Sequence, residues 1–354
     1  MTGASATGAT RRGMLLLAAA ATLGAVFCAV AAEFVLREIT YLPGQWRPDP
    51  VLGLTRPAHS VVFVGLEGGV KLRFDRHGLN NDDALWDGPG PAVGLIGDSF
   101  VEAVEVPRAA NMTSRLGAAL APTRVLNLGR AAATPQLLPT LLEGVDQGSA
   151  LDLVVLVIST TDAGELRAAA MPMTAEDRAR CPDTRQGGGG TGTLAAAQEA
   201  SALAARMANR LRETRVRVAG TITFASARQA AASGGPDPVA EDAAAAQLLA
   251  GCLARLSARH RVVGALLPQV THGDMTRGAR LAAWRRDAAM HQAGFALADI
   301  PLVLPPEALL QRFAKGPAVA GFDNAVVGEG HLNEEGHRVV AEWLATALAE
   351  HLPR

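Results

Sequence analysis

From residue 93 onward, short apolar runs alternate with longer amphipathic ones, and this alternation constrains the fold more than any other feature. Val93-Gly94-Leu95-Ile96 reads as a strand buried on both faces, broken by Gly97-Asp98-Ser99-Phe100. A helix follows over Asn111–Leu120 and a strand over Arg124–Gly129. The next helix is expected over Thr134–Val145, with Thr134 as cap and Pro135 in its first position. Leu151–Ser159, rich in Val, Leu and Ile, is the most β-like run. Residues 173–193, closing on Gly187 to Gly190, read as a surface insertion with a flexible end. Beyond it the pattern predicts a helix over Leu194–Thr214 and a strand over Val216–Phe224. A helix over Pro236–His260, a strand over Arg261–Leu267 and a helix over Gly278–Ala293 follow. A weak strand lies around Ala296–Leu304, and an amphipathic helix over Asn333–Leu352 closes the chain. Such alternation predicts a doubly wound, mainly parallel sheet with helices on both faces.

The N-terminal part is of another kind. Residues 1–12 are polar and end in Arg11-Arg12, and Met14 to Ala32 carries no charge. At about 1.5 Å per residue that run is close to the ~30 Å of a bilayer core. It reads either as a cleaved signal peptide, with Ala29-Val30-Ala31-Ala32 as the small-residue site, or as an uncleaved anchor. Length and the two arginines favour a transmembrane anchor over 13–32 with residues 1–12 in the cytoplasm. The rest of the chain would then lie outside the cytoplasm, periplasmic or extracellular. Residues 33–92 form a lead-in whose prolines at 43, 48, 50, 57, 89 and 91 forbid long helices. Within it Val61–Val64 and Val70–Phe74 are expected to pair as a hairpin across Glu67-Gly68-Gly69. Residues 93–354 make the main domain.

A net charge of −1 gives no reason to expect a nucleic-acid partner. The three cysteines, Cys28, Cys181 and Cys252, form no Cys-x-x-Cys pair, so no zinc site is expected. Cys181 and Cys252 can join only outside the cytoplasm, and their expected places, in the insertion and mid-helix, argue against it. Gly187 to Gly190 lacks the Lys-Ser/Thr of a phosphate loop. No cofactor is expected.

Ser99 stands at the carboxyl end of a central strand, where open α/β sheets place their ligands. A Gly-Asp-Ser turn is by itself ordinary turn chemistry. It gains meaning if a base for the serine exists, and His331, in Gly330-His331-Leu332-Asn333-Glu334-Glu335-Gly336-His337, is the candidate. The plainer reading of His331 is as the residue leading into a helix capped by Asn333, and both hold together. His337 fits packing within that helix. Asp98 is expected to bond the turn backbone, Asn127 to brace the next loop, and Asp162 to cap the segment it begins.

Gly97-Asp98-Ser99-Phe100 resembles the first block of the SGNH/GDSL hydrolase family. Asn127-Leu128-Gly129 with Ala132 resembles its second, Leu156 through Asp162 its third, and His331-Leu332-Asn333-x-x-Gly336-His337 its fifth. In the lead-in, Tyr41, Arg47-Pro48-Asp49-Pro50-x-x-Gly53 and Gly78-Leu79-Asn80 are similar to the membrane-tethered, GDSF-type branch. The resemblance implies a flavodoxin-like three-layer αβα sandwich. It also implies Ser99 as nucleophile, His331 as its base and the Ser99 N–H as first oxyanion donor. Three positions depart from the family. The second-block glycine falls on Ala132 and the third-block asparagine on Thr161, both oxyanion positions. The acid three residues before the histidine falls on Gly328, leaving Glu329 as the nearest substitute and Asp323 as the next. Losing one oxyanion donor typically costs roughly a hundred- to a thousandfold in rate. What the resemblance implies is an exported, membrane-anchored serine esterase for O-acyl or O-acetyl esters, with cell-surface glycans as a candidate substrate. The alternatives are an O-acyltransferase using the same pair and a catalytically degenerate scaffold.

Overall fold

The computed structural model describes residues 6–39, 47–49, 53–64, 67–131, 133–136, 138–145, 151–182, 237–268, 276–315, 318–322 and 330–352. The chain divides into two units, one of residues 1–44 with 190–224 and one of residues 45–189 with 225–354. In the first, α1 (Ala6–Ile39) carries the segment Gly13–Val35, 23 residues with a mean hydropathy of 2.3. At 1.5 Å per residue it is about 34 Å long, enough to cross a bilayer. Leu16, Leu23 and Phe27 on it are all exposed, so no protein core covers them.

The second unit is built on five parallel strands: β5 (Ala92–Gly97), β6 (Arg124–Gly129), β7 (Leu153–Ile158), β8 (Val262–Leu266) and β9 (Leu302–Val303). Their order is β6-β5-β7-β8-β9, the order of flavodoxin-like sheets. β5 and β7 are buried along their whole length, as strands covered on both faces must be. Leu95, Ile96, Leu126, Leu153, Leu156 and Ile158 fill the middle of the core. With right-handed crossovers, α4 (Met112–Ala119) and the final helix α11 (Glu334–Ala347) pack together on one face. On the other, α8 (Pro238–Ser257) packs against α5 (Leu138–Val145), α6 (Thr161–Ala170), α7 (Ala175–Arg180) and α9 (Arg277–Leu297). The doubly wound parallel sheet predicted from the alternation is the fold observed, and it has the sandwich architecture that the resemblance implied.

The lead-in is built from antiparallel pairs. β1 (Arg47–Asp49) pairs with β2 (Gly53–Thr55), and β3 (Val61–Val64) with β4 (Val70–Arg73) in the expected hairpin. The following turn and the short helix α2 (Ala84–Asp87) are stitched to the sheet. Asp75 accepts from Asn81 Nδ2 and Trp86 Nε1, and Asn81 exchanges hydrogen bonds with the backbone of Asn127 at 2.7 and 2.9 Å.

Three expectations need correction. α5 starts at Leu138, not Thr134. The Ala133 N–H closes a turn on Arg130 O, and the first-turn proline, which has no N–H to lose there, is Pro139 rather than Pro135. Residues 296–304 are mostly not strand. α9 runs on to Leu297, Asp299 takes a positive φ of 55°, and only Leu302 and Val303 pair with β8. The helix α10 (Glu307–Ala314) follows, its signal hidden behind Pro305-Pro306. The third correction is the disulfide: Cys181 and Cys252 are joined, with Cα atoms 4.7 Å apart. Part of the expected insertion is the ordered helix α7, set by a Thr174–Asp177 capping box, and it lays Cys181 against α8 at Gly251, where a Cβ would meet Arg178 O. The helix expected over Leu194–Thr214 and the strand over Val216–Phe224 lie outside the described residues.

The disulfide closes a span of 71 residues. Replacing both cysteines by serine is expected to lower stability by about 2–4 kcal/mol. Calorimetry of the oxidised protein against the double variant checks this; equal melting temperatures would contradict it.

Candidate active site

β5 delivers the serine. It ends at Gly97 between β6 and β7, at the carboxyl edge of the sheet, and the chain turns directly into the single-turn helix α3 (Ser99–Glu102). Asp98 caps that turn by accepting from Phe100 N at 2.9 Å, which leaves Ser99 as the first residue of the helix.

His331 reaches the serine from the far end of the chain. Asn333 caps α11 by accepting from Gly336 N, and the segment before it is pinned by an isolated bridge between Ala320 and Leu332. The His331 carbonyl accepts from Gly321 N at 2.9 Å. The Phe100 ring packs against the imidazole, centroids 5.5 Å apart. Nε2 lies 3.0 Å from Ser99 Oγ, and Nδ1 lies 2.6 Å from Oε2 of Glu67. In the neutral tautomer that Glu67 selects, Nδ1–H donates to the carboxylate and Nε2 accepts the serine proton.

Glu67 was not legible as a site residue. It stands in the turn of the β3–β4 hairpin, where an acid is ordinary surface chemistry. Two glycines let it reach the histidine. Gly68, at φ 71°, leaves no room for a Cβ, which would lie 1.8 Å from the carbonyl oxygen of Glu105. Gly330, at φ 84°, would carry a Cβ 2.4 Å from Glu67 Oε1. Both need a backbone conformation that other residues rarely adopt and a gap that only hydrogen fills.

A second carboxyl sits beside the first. Glu105 Oε1 is 3.4 Å from His331 Nδ1. Glu67, Glu105 and His331 bring ligand-type atoms within 4.8 Å of one another. The 2.6 Å Glu67–His331 contact is a hydrogen bond. It is shorter than the roughly 3.3 Å that separates two ligands around a tetrahedral zinc.

These neighbours set the charge of the site. Burial pulls the His331 imidazole down, but the Glu67 hydrogen bond and the charges of Glu105, Glu67 and Asp98 outweigh it and raise it to about 9. The same hydrogen bond holds Glu67 below its ordinary value. Burial pushes Glu105 up to about 7 and Asp98 up to about 6. Asp162, deeper still, is raised by burial and by the Asp98 charge. Its Oδ2 accepts from Ser159 N at 2.7 Å, which ties the start of α6 back to the end of β7.

The loop after β6 is shaped from α3 and the lead-in. Glu102, 2% exposed, takes the Arg56 Nε–H on Oε1 at 2.7 Å and the Ala131 N–H on Oε2 at 3.1 Å. Asn127 donates to Val101 O and accepts from Gly129 N. Of the other expected residues, Thr161 begins α6. Ala132, Asp323, Gly328 and Glu329 lie outside the described residues. His337 is fully buried with Nδ1 accepting from Met112 N at 3.3 Å, and burial drives it down to about 3, so it joins α11 to α4.

No family model matches the chain, and no curated protein matches it. Solved structures do. A member of the lipolytic G-D-S-L family from Veillonella parvula is 14% identical, covering 74% of this chain and 100% of its own, with a TM-score of 0.42. A carbohydrate acetylesterase from Sinorhizobium meliloti is 12% identical over 74% and 100%, with a TM-score of 0.37. A catalytic mutant of an acetylxylan esterase from Geobacillus stearothermophilus is 12% identical over 74% and 95%, with a TM-score of 0.38.

A histidine raised to about 9 carries its extra proton at neutral pH and accepts one only above that point. Reaction of Ser99 with a fluorophosphonate is therefore expected to rise about tenfold per pH unit up to roughly pH 9 and then level off. A rate that is flat from pH 6 to 9 would contradict this.

Proposed function

We propose that the chain is a serine esterase held at a membrane by α1, with Ser99 as nucleophile, His331 as general base and acid, and Glu67 as the partner of the imidazole. The observation that carries the reading is the unbroken line Glu67–His331–Ser99, at 2.6 and 3.0 Å. Convergent serine hydrolases rely on this constellation, in whatever order the three residues occur along the chain.

Ser99 Oγ attacks the ester carbonyl carbon as its proton passes to His331 Nε2. The positive imidazolium is held by the Glu67 carboxylate on its other edge. The Ser99 N–H, at the first position of α3, has no intrahelical partner and donates to the developing oxyanion. Collapse of the tetrahedral species returns the proton from His331 to the departing alcohol oxygen and leaves an acyl-serine. Water, deprotonated by the same Nε2, then releases the acid.

The substrate class is an O-acyl or O-acetyl ester, and an anchor at 13–35 favours one presented near a membrane, such as an acylated cell-surface glycan. The inner membrane, with the sheet domain on its outer side, is the location that the N-terminal arginines favour.

Ser99→Ala and His331→Ala are each expected to reduce hydrolysis of short p-nitrophenyl esters by at least about a thousandfold. Unchanged hydrolysis in both variants would sink the reading. Including an acetylated oligosaccharide donor and an unacetylated acceptor separates hydrolysis from transfer; transfer outpacing release of acetate would make the chain an acyltransferase with the same three residues.

A further inference from the structure

Glu105 follows α3 by three residues and has no part in the line just described. It is 4% exposed, and its Oε2 meets no hydrogen-bond partner among the described residues. A buried carboxylate oxygen without a hydrogen bond is costly, and natural chains seldom keep one that does nothing. Its Oε1 faces the imidazole edge that Glu67 occupies, at 3.4 Å against 2.6 Å from Nδ1. The two acids are held differently. Glu67 is 24% exposed on a hairpin turn, whereas Glu105 is 5% exposed by its side chain and lies beneath that turn, its carbonyl against Gly68.

We infer that Glu105 is a second positioning carboxylate for His331: together with Glu67 it sets how strongly the imidazole holds its proton, and it keeps Nδ1–H partnered when Glu67 is removed. The inference rests on the reading of His331 as the base for Ser99. Among the described residues the titratable groups facing the imidazole are few. Glu67 comes from the hairpin, Asp98 and Ser99 from the end of β5 and the start of α3, Glu105 from the segment after α3, and His337 from α11. Glu105 in turn feels Glu102 and Glu67 as well as His331. Removing the Glu105 charge takes away an attraction that favours the imidazolium, so the imidazole releases its proton at lower pH. Removing Glu67 takes away the shorter hydrogen bond and leaves Glu105 to orient the ring from slightly farther off.

The test is made on the full chain in detergent micelles. Histidines carry ¹³C at Cε1, and the His331 signal is assigned by its loss in His331→Gln. The titration midpoint of His331 and the pH profile of fluorophosphonate labelling are read for the wild type, Glu105→Gln, Glu67→Gln and the double variant. Glu105→Gln is expected to lower both midpoints by about one pH unit while leaving the plateau labelling rate within about threefold. Glu67→Gln is expected to label within about thirtyfold of the wild-type plateau, and the double variant to fall below it by at least a further thirtyfold or so, since the two acids substitute for one another. An unmoved His331 midpoint in Glu105→Gln, or Glu67→Gln no better than the double variant, overturns the inference. If the wild type fails to label while the midpoint still moves in Glu105→Gln, the serine-nucleophile reading falls and the coupling of Glu105 to His331 stands. Should Glu105→Gln not fold, Glu105→Asp keeps the charge and withdraws it by one methylene; it is expected to shift the midpoint the same way by less, and no shift counts against the inference.

Discussion

The buried pair of Arg56 and Glu102 is the constraint on which the upper part of this molecule depends. Both side chains are almost fully removed from water, at 2% and 3% exposure. Two charges in such surroundings are stable only if every remaining hydrogen-bonding position is used. Glu102 uses both oxygens, one on Arg56 and one on the Ala131 N–H. The Arg56 guanidinium also covers the Phe74 ring at 4.8 Å. One interaction thus couples the lead-in, the helix that begins with Ser99 and the loop after β6. Loss of either partner would strand a charge in the interior, a far larger penalty than the pair's own contribution.

The lead-in is therefore a working part of the sheet domain. Its hairpin supplies the acid on His331, and the Asn80–Asn81 turn grips α3 and β6: Asn80 Nδ2 donates to Glu102 O at 2.8 Å, and Asn81 to Asn127 O at 2.9 Å. A carboxylate at the tip of a hairpin gains its position from the packing beneath it. Here that packing is the contact of Gly68 with the Glu105 backbone, and it leaves one acid partly open to solvent above one that is nearly closed off.

Much of this was legible in the residues. Three of the longer strands announce themselves because a strand covered on both faces must be apolar throughout, and β5, β7 and β8 are. Ser99 and His331 were singled out by the strand end and by the resemblance of their surrounding blocks, not by the caps: Asp98 and Asn333, which cap the adjoining turn and helix, are what any turn or helix start uses. β9 was not, since two residues cannot display a period, and neither was α10 behind its two prolines. Glu67 and Glu105 escaped for a different reason. Their roles come from contacts across 264 residues in one case and across 226 in the other, and nothing near either of them in the chain records such a partner. The disulfide was misjudged in the same way, because the mid-helix position of Cys252 gives no hint that α7 lies alongside.

Every member of the reactive group except one lies in the first third of the sequence. Glu67, Asp98, Ser99 and Glu105 are all made early; His331 comes close to the end, after β8, β9 and α10. A growing chain thus carries Ser99 without the His331 imidazole beside it until almost all of its residues exist. The isolated bridge between Ala320 and Leu332 and the seating of α11 on α4 are what finally bring the imidazole in. The contact between the serine and the imidazole is thus made late in assembly, and an unfinished or C-terminally clipped chain would leave the Ser99 hydroxyl without that partner.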